Sequence, residues 1–74
     1  MIKNRKELEF VIFCVENTAI RLGVSAEKVY EVLTAESDIL NKYIVPSYDV
    51  LHTQDKNYII DDILDVMKER GVSV

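Results

Sequence analysis

The stretch RLGVSAEKVYEVL, residues 21–33, decides how this chain is read. Its first two residues close a long helical pattern. Gly23 then supplies the left-handed backbone conformation that commonly ends a helix. Ser25 follows two residues later, and its hydroxyl suits the free backbone N–H groups of a new first turn. Val29, Val32 and Leu33 recur at spacings of three and one, giving the second helix an apolar stripe that runs to about Glu36. Two helices meeting at a glycine corner are therefore expected.

Upstream of the corner, Leu8, Val11, Ile12, Val15, Ala19 and Leu22 recur at the helical period, so the first helix is predicted over Lys6–Leu22 with these residues as its buried stripe. Downstream, Ser37 or Asp38 is the next cap, opening a short helix through Ile44. Pro46 lacks a backbone N–H and disfavours helix in the residue before it, so that helix ends nearby. Residues 46–54, PSYDVLHTQ, form a connector with room for one helical turn. Asp55 caps a last helix running to Arg70, with Ile59, Ile60, Ile63, Leu64 and Met67 as its stripe. Lys68 and Arg70 suit its negative end, and Gly71 stops it. The expected fold is all-α: a compact bundle of four or five short helices with a helix-turn-helix-like corner. One helical domain is expected over residues 1–74, with residues 1–5 as a flexible basic terminus.

Composition agrees with a folded domain. Hydrophobic residues make up 49% of the 74 residues and charged residues 30%, a balance unlike that of disordered chains. A core this small rarely yields more than a few kcal/mol of net stability, so size alone makes a partner or a second copy worth considering. The single cysteine, Cys14, excludes an internal disulfide and favours the cytoplasm. It sits at the edge of the first helix's stripe and reads as a small buried hydrophobe. The apolar run FVIFCV, residues 10–15, is too short for a membrane span, and the acidic residues beside it do not suit a signal peptide.

Charge bears on function. The formal net charge is −4, and the only basic patch is Lys3, Arg5 and Lys6. Ala19, Gly23, Val24, Val29 and Val32 stand at spacings suited to a helix-turn-helix that reads DNA. The exposed face of the second helix, however, offers Glu27 and Glu31 with only Lys28 to offset them. DNA affinity comes mostly from neutralised phosphates, so nucleic acid is disfavoured as a partner. If DNA were bound, Ser25, Lys28 and Tyr30 would be the contacts.

The first helix is apolar over more of its circumference than one stripe requires. Phe10, Phe13, Asn17 and Ile20 share a second face at spacings of three, four and three, the rhythm of a helix seam. Either the first helix runs through the middle of the bundle and the last helix covers this face, or the face binds a second copy or another protein. Asn17 would then fix register. Tyr48, His52 and Tyr58, gathered within residues 44–59, are aromatics and an imidazole with polar tips that suit a bonded corner or a binding surface.

Enzymatic chemistry finds no footing. DDILD, residues 61–65, matches the aspartate string of enzymes handling prenyl diphosphates, but those need a far larger bundle around a deep cavity. Asp61, Asp62, Asp65 and Glu69 read as a solvated acidic face. His52 has no companions at ligand spacing and no nucleophile beside it. No phosphate-binding glycine loop or zinc spacing occurs, so no cofactor, metal or catalytic residue is expected.

YDVLHTQ at residues 48–54, with YI three residues on and then DI, together with LGVS…VY and the proline break, resembles short bacterial proteins of domain-of-unknown-function family 3791. The resemblance spans nearly the whole chain. It implies a bacterial, cytoplasmic, all-helical module without an assigned activity, and it transfers no functional residue. Genes of such families often lie beside toxin-like genes, which implies an antitoxin or accessory role. The leading expectation is a non-enzymatic protein-interaction module. The alternatives are a DNA-binding regulator and a self-assembling structural module.

Overall fold

The computed structural model describes residues 3–73, all of them in helices, turns or short connectors, with no strand among them. The first helix, α1, spans Arg5–Leu22. Asn4 caps it by accepting a hydrogen bond from the Glu7 backbone N–H at 2.9 Å. The helix thus begins within the expected basic terminus: Asn4 and Arg5 are its entry, and residues 1 and 2 lie outside the described residues.

The corner forms as its local chemistry dictates. Gly23 takes φ +69, and its N–H reaches the carbonyls of Ala19 and Ile20. A β-carbon at this position would meet nothing within 4 Å, so the backbone conformation alone requires glycine here. Ser25 Oγ accepts from the Lys28 N–H at 3.1 Å and opens α2, Ala26–Glu31.

Beyond α2 the helical path widens. Val32–Glu36 and Leu40–Ile44 are each one π-helical turn rather than the regular helix that periodicity predicts. Between them the Ser37 hydroxyl donates to the Val32 carbonyl at 2.7 Å and accepts from the Ile39 N–H at 3.3 Å. Asp38 holds a positive φ of 57, a conformation that Asp tolerates better than most residues. The wider turns change which residues face inward, and they place Val32, Leu33, Ile39, Leu40 and Ile44 in the core together. The connector carries its single turn as α3, Tyr48–Leu51, and only Leu51 is buried there.

The last helix, α4, spans Lys56–Glu69, capped by Asp55 and followed by Gly71 at φ +70. Its buried stripe is Ile59, Ile60, Ile63, Val66 and Met67, with Leu64 only partly covered. Burying a side chain such as Ile60 or Ile63 contributes about 1.5–3 kcal/mol. α1 packs against both α2 and α4, giving extents of 26 × 23 × 21 Å. Arg21 clamps the α1–α4 seam at its edge, with Nη1 2.6 Å from Asp61 Oδ1. Both groups are solvated, so the pair contributes at most about 1 kcal/mol.

The buried face of α1 differs from the expected stripe. Phe10, Val11, Cys14, Val15, Thr18 and Ala19 line the core, whereas Leu8 and Ile12 remain 45% and 46% exposed. At 100° per residue, this turns the buried face by about 60° toward Phe10. Small side chains explain the choice. Cys14, Thr18 and Ala19 allow neighbouring elements to approach α1 closely, and the bulky Leu8 and Ile12 stand off to the side.

One core position is imperfect. Thr18 is fully buried, and its Oγ1 has no hydrogen-bond partner. A buried hydroxyl without a partner costs about 1–3 kcal/mol. Thr18→Val keeps the shape and the β-branch while removing the polar atom. It is expected to raise stability by about 1 kcal/mol, read as a higher urea midpoint. An unchanged or lower midpoint would show that the hydroxyl is satisfied in solution.

Candidate functional site

The side chains excluded from the core are not scattered. Leu8 and Ile12 from α1 and Tyr30 from α2, the last 53% exposed, border one open groove of about 580 Å³ between the two helices. Val11 and Val15 form its floor, and Ala26 provides a low wall. The Gly23 corner creates the groove by turning α2 back across α1, so its two walls come from helices adjacent in sequence.

The rim is acidic. Glu16, Glu27 and Glu31 line the groove, and among the described residues no lysine or arginine does. Lys28 lies 3.6 Å from Glu31 and 4.0 Å from Glu36, which partly offsets Glu31. Among the described residues, Glu16 and Glu27 have no cation within ion-pair distance. The groove therefore combines an apolar floor with a negative edge that is only partly compensated.

Few residues singled out from sequence contribute to it. Phe10 belongs to the core, packed edge-on against Tyr48 with ring centres 5.4 Å apart. Its proposed role in a partner seam is corrected by this burial. Phe13 is half-buried against the same core. The half-buried Asn17 side chain donates one Nδ2 hydrogen bond to the Phe13 carbonyl of its own helix at 2.8 Å. Of the expected second face only Ile20 is fully outward, 77% exposed. Phe10 is thus covered within the bundle, and the aromatic contact on it comes from Tyr48 of α3.

The connector residues form a structural corner. His52 Nδ1 lies 2.6 Å from the Tyr48 carbonyl, and its ring stacks on Tyr48 with centres 4.3 Å apart. The run Phe13–Phe10–Tyr48–His52 is a continuous aromatic contact that ties α3 to α1. Tyr58 stands apart at the start of α4, largely exposed.

The three candidate DNA contacts have other engagements. Ser25 caps α2, Lys28 is paired with two glutamates, and Tyr30 borders the groove. The aspartate string is likewise divided: Asp61 holds Arg21, and Asp62 accepts the Tyr43 hydroxyl. Among the described residues, no three His, Cys, Asp or Glu side chains are grouped to hold a metal ion. Among the same residues, no helix is long and apolar enough to cross a membrane.

The groove residues Leu8, Ile12 and Ala26 escape a sequence reading for one reason. Periodicity places Leu8 and Ile12 on an apolar stripe but cannot say which of two adjacent stripes the neighbouring helices cover. The small residues at positions 14, 18 and 19 carry that signal.

These features define a small all-α protein built around a glycine corner, with an acid-edged apolar groove on one side. Residues 9–70 match the family described as Protein of unknown function (DUF3791), and the chain belongs to that family. Comparison with curated proteins and with solved structures gave no match.

Proposed function

We propose that this protein is a non-enzymatic protein-interaction module of a bacterial cytoplasm, an antitoxin-like or accessory component of a toxin–antitoxin-like pair, and that it binds its partner through the α1–α2 groove. The observation that carries the reading is the gathering of Leu8, Ile12 and Tyr30, each about half exposed, around one cavity. Contiguous exposed apolar surface rimmed by polar residues marks interaction sites. The family resemblance described above supports the antitoxin-like role.

The glycine corner keeps a DNA-binding regulator as a second reading. Electrostatics oppose it, because Glu27 and Glu31 lie exposed on the helix that would approach phosphates.

Affinity capture from the native host separates the two, using the wild type and Ile12→Asp in parallel. A half-exposed position tolerates the charge, so the variant keeps its helical circular dichroism. The wild type is expected to retain a protein partner that Ile12→Asp loses by about tenfold or more, as for a central interface residue. Capture of duplex DNA, with retention lost on nuclease treatment, would replace this reading with the second. Equal capture by both proteins would remove the groove from the account. A defined homo-oligomer with no other partner would favour a self-assembling module.

A further inference from the structure

The groove also specifies the chemistry of its occupant. We propose that it receives an amphipathic helix of a partner protein, with aliphatic anchors on the buried face and lysine or arginine along both flanks. The proposal rests on the reading of the groove as the docking site and adds the nature of the ligand.

The shape argues for a helix. An extended peptide gains its affinity by adding to a sheet edge, and the described residues contain no strand. A polyproline segment docks into aromatic-lined grooves, whereas here the apolar lining is Leu8, Val11, Ile12, Val15 and Ala26, with Tyr30 the one aromatic among the described residues. What remains is a furrow between two helices. Leu8 to Val15 covers about 10 Å of α1 at 1.5 Å per residue, which matches two turns of an incoming helix presenting residues at i, i+3, i+4 and i+7. Ala26 keeps one wall low enough for close approach.

The edge argues for positive charge. Glu16 stands on the α1 side, Glu27 and Glu31 on the α2 side, and among the described residues no basic side chain lines the cavity. An occupant with acidic flanks would bring like charges together on both sides. One with basic flanks would meet a carboxylate on each. Such complementarity raises the association rate and rejects wrong partners more than it adds affinity.

The test is a peptide-display selection on the full chain. The library holds helices about five turns long, with apolar residues fixed at i, i+3, i+4 and i+7 and the other positions free. Selected peptides are synthesised and titrated against isotope-labelled protein, following the methyl signals of Leu8, Ile12 and Val15. Lys and Arg are expected to be enriched at the flanking positions, and binding is expected to move these methyls. The triple variant Glu16→Gln, Glu27→Gln, Glu31→Gln is expected to weaken binding about tenfold at low salt, three exposed pairs acting together, and much less at high salt.

Neutral or acidic winners that still move the groove methyls would overturn the charge assignment and leave the groove as a docking site. Winners that move signals elsewhere, or no winners at all, would overturn both. A homodimer that Ile12→Asp dissociates would make a second copy the occupant and overturn the partner helix.

Discussion

Phe10→Ala is expected to lower stability by about 3–5 kcal/mol, the range for removing a buried aromatic ring. The ring is 8% exposed and packs edge-on against Tyr48. Its loss leaves a cavity and also frees α3, whose contact with α1 runs through that pair. A core of this size rarely supplies more than about 3–5 kcal/mol in total, so the variant is expected to be largely unfolded at 37 °C. Phe10→Leu keeps most of the volume and is expected to cost less than about 2 kcal/mol, which leaves a measurable transition if the alanine variant has none. Ile20→Ala serves as the contrast: at 77% exposure its effect is expected within about 0.5 kcal/mol. Urea titrations followed by circular dichroism compare the three. Similar midpoints for Phe10→Ala and Ile20→Ala would mean that both residues belong to an outward face and that the packing described above is wrong.

That contrast shows what could be read from the sequence and what could not. Gly23, Ser25, Asp55 and Gly71 were legible because each answers a local need, a left-handed residue or a side-chain acceptor for free backbone donors, that neighbouring residues already define. The end of α1 and both bounds of α4 followed from them to within a residue, whereas the Asn4 cap that opens α1 was missed. The face that α1 buries was not local. Its apolar residues cover more than half of its circumference, and only the small residues Cys14, Thr18 and Ala19 mark where neighbours approach. The π turns were illegible for a related reason, since the same residues support either helix, and the demand to bury Val32, Leu33, Ile39 and Ile44 together is met only in three dimensions. The groove depends on both outcomes. It exists because α1 turned Leu8 and Ile12 away from the core while the corner brought Tyr30 beside them.

Raising the pH above 9 is expected to destabilise the fold through one buried thiol. Cys14 is fully buried, and burial pushes its pKa up from an ordinary 9.0 to about 12. In the unfolded chain the thiol ionises near its ordinary value. Between the two values the unfolded state has released a proton that the folded state still holds, so each further unit of pH favours unfolding. The stabilisation is complete below about pH 9 and declines by about 1.4 kcal/mol per pH unit above it. By pH 10.5 the loss from this group is about 2 kcal/mol, a large share of what a small core supplies. Tyr43 acts in the same direction at higher pH. Its hydroxyl donates to Asp62, and this bond, with burial and the nearby negative charge, moves its pKa from 10.0 to about 12. The interval from pH 9 to 10 therefore isolates the thiol. Urea unfolding under reducing conditions is measured at pH 8.5, 9.5 and 10.5 for the wild type and for Cys14→Ala. The variant begins less stable, because a small cavity replaces the sulfur. Its stability should nevertheless stay flat where the wild type declines and fall only later, as Tyr43 ionises in the unfolded chain. Parallel declines in the two proteins would show that Cys14 ionises as readily folded as unfolded, and that α1 does not bury the face assigned to it.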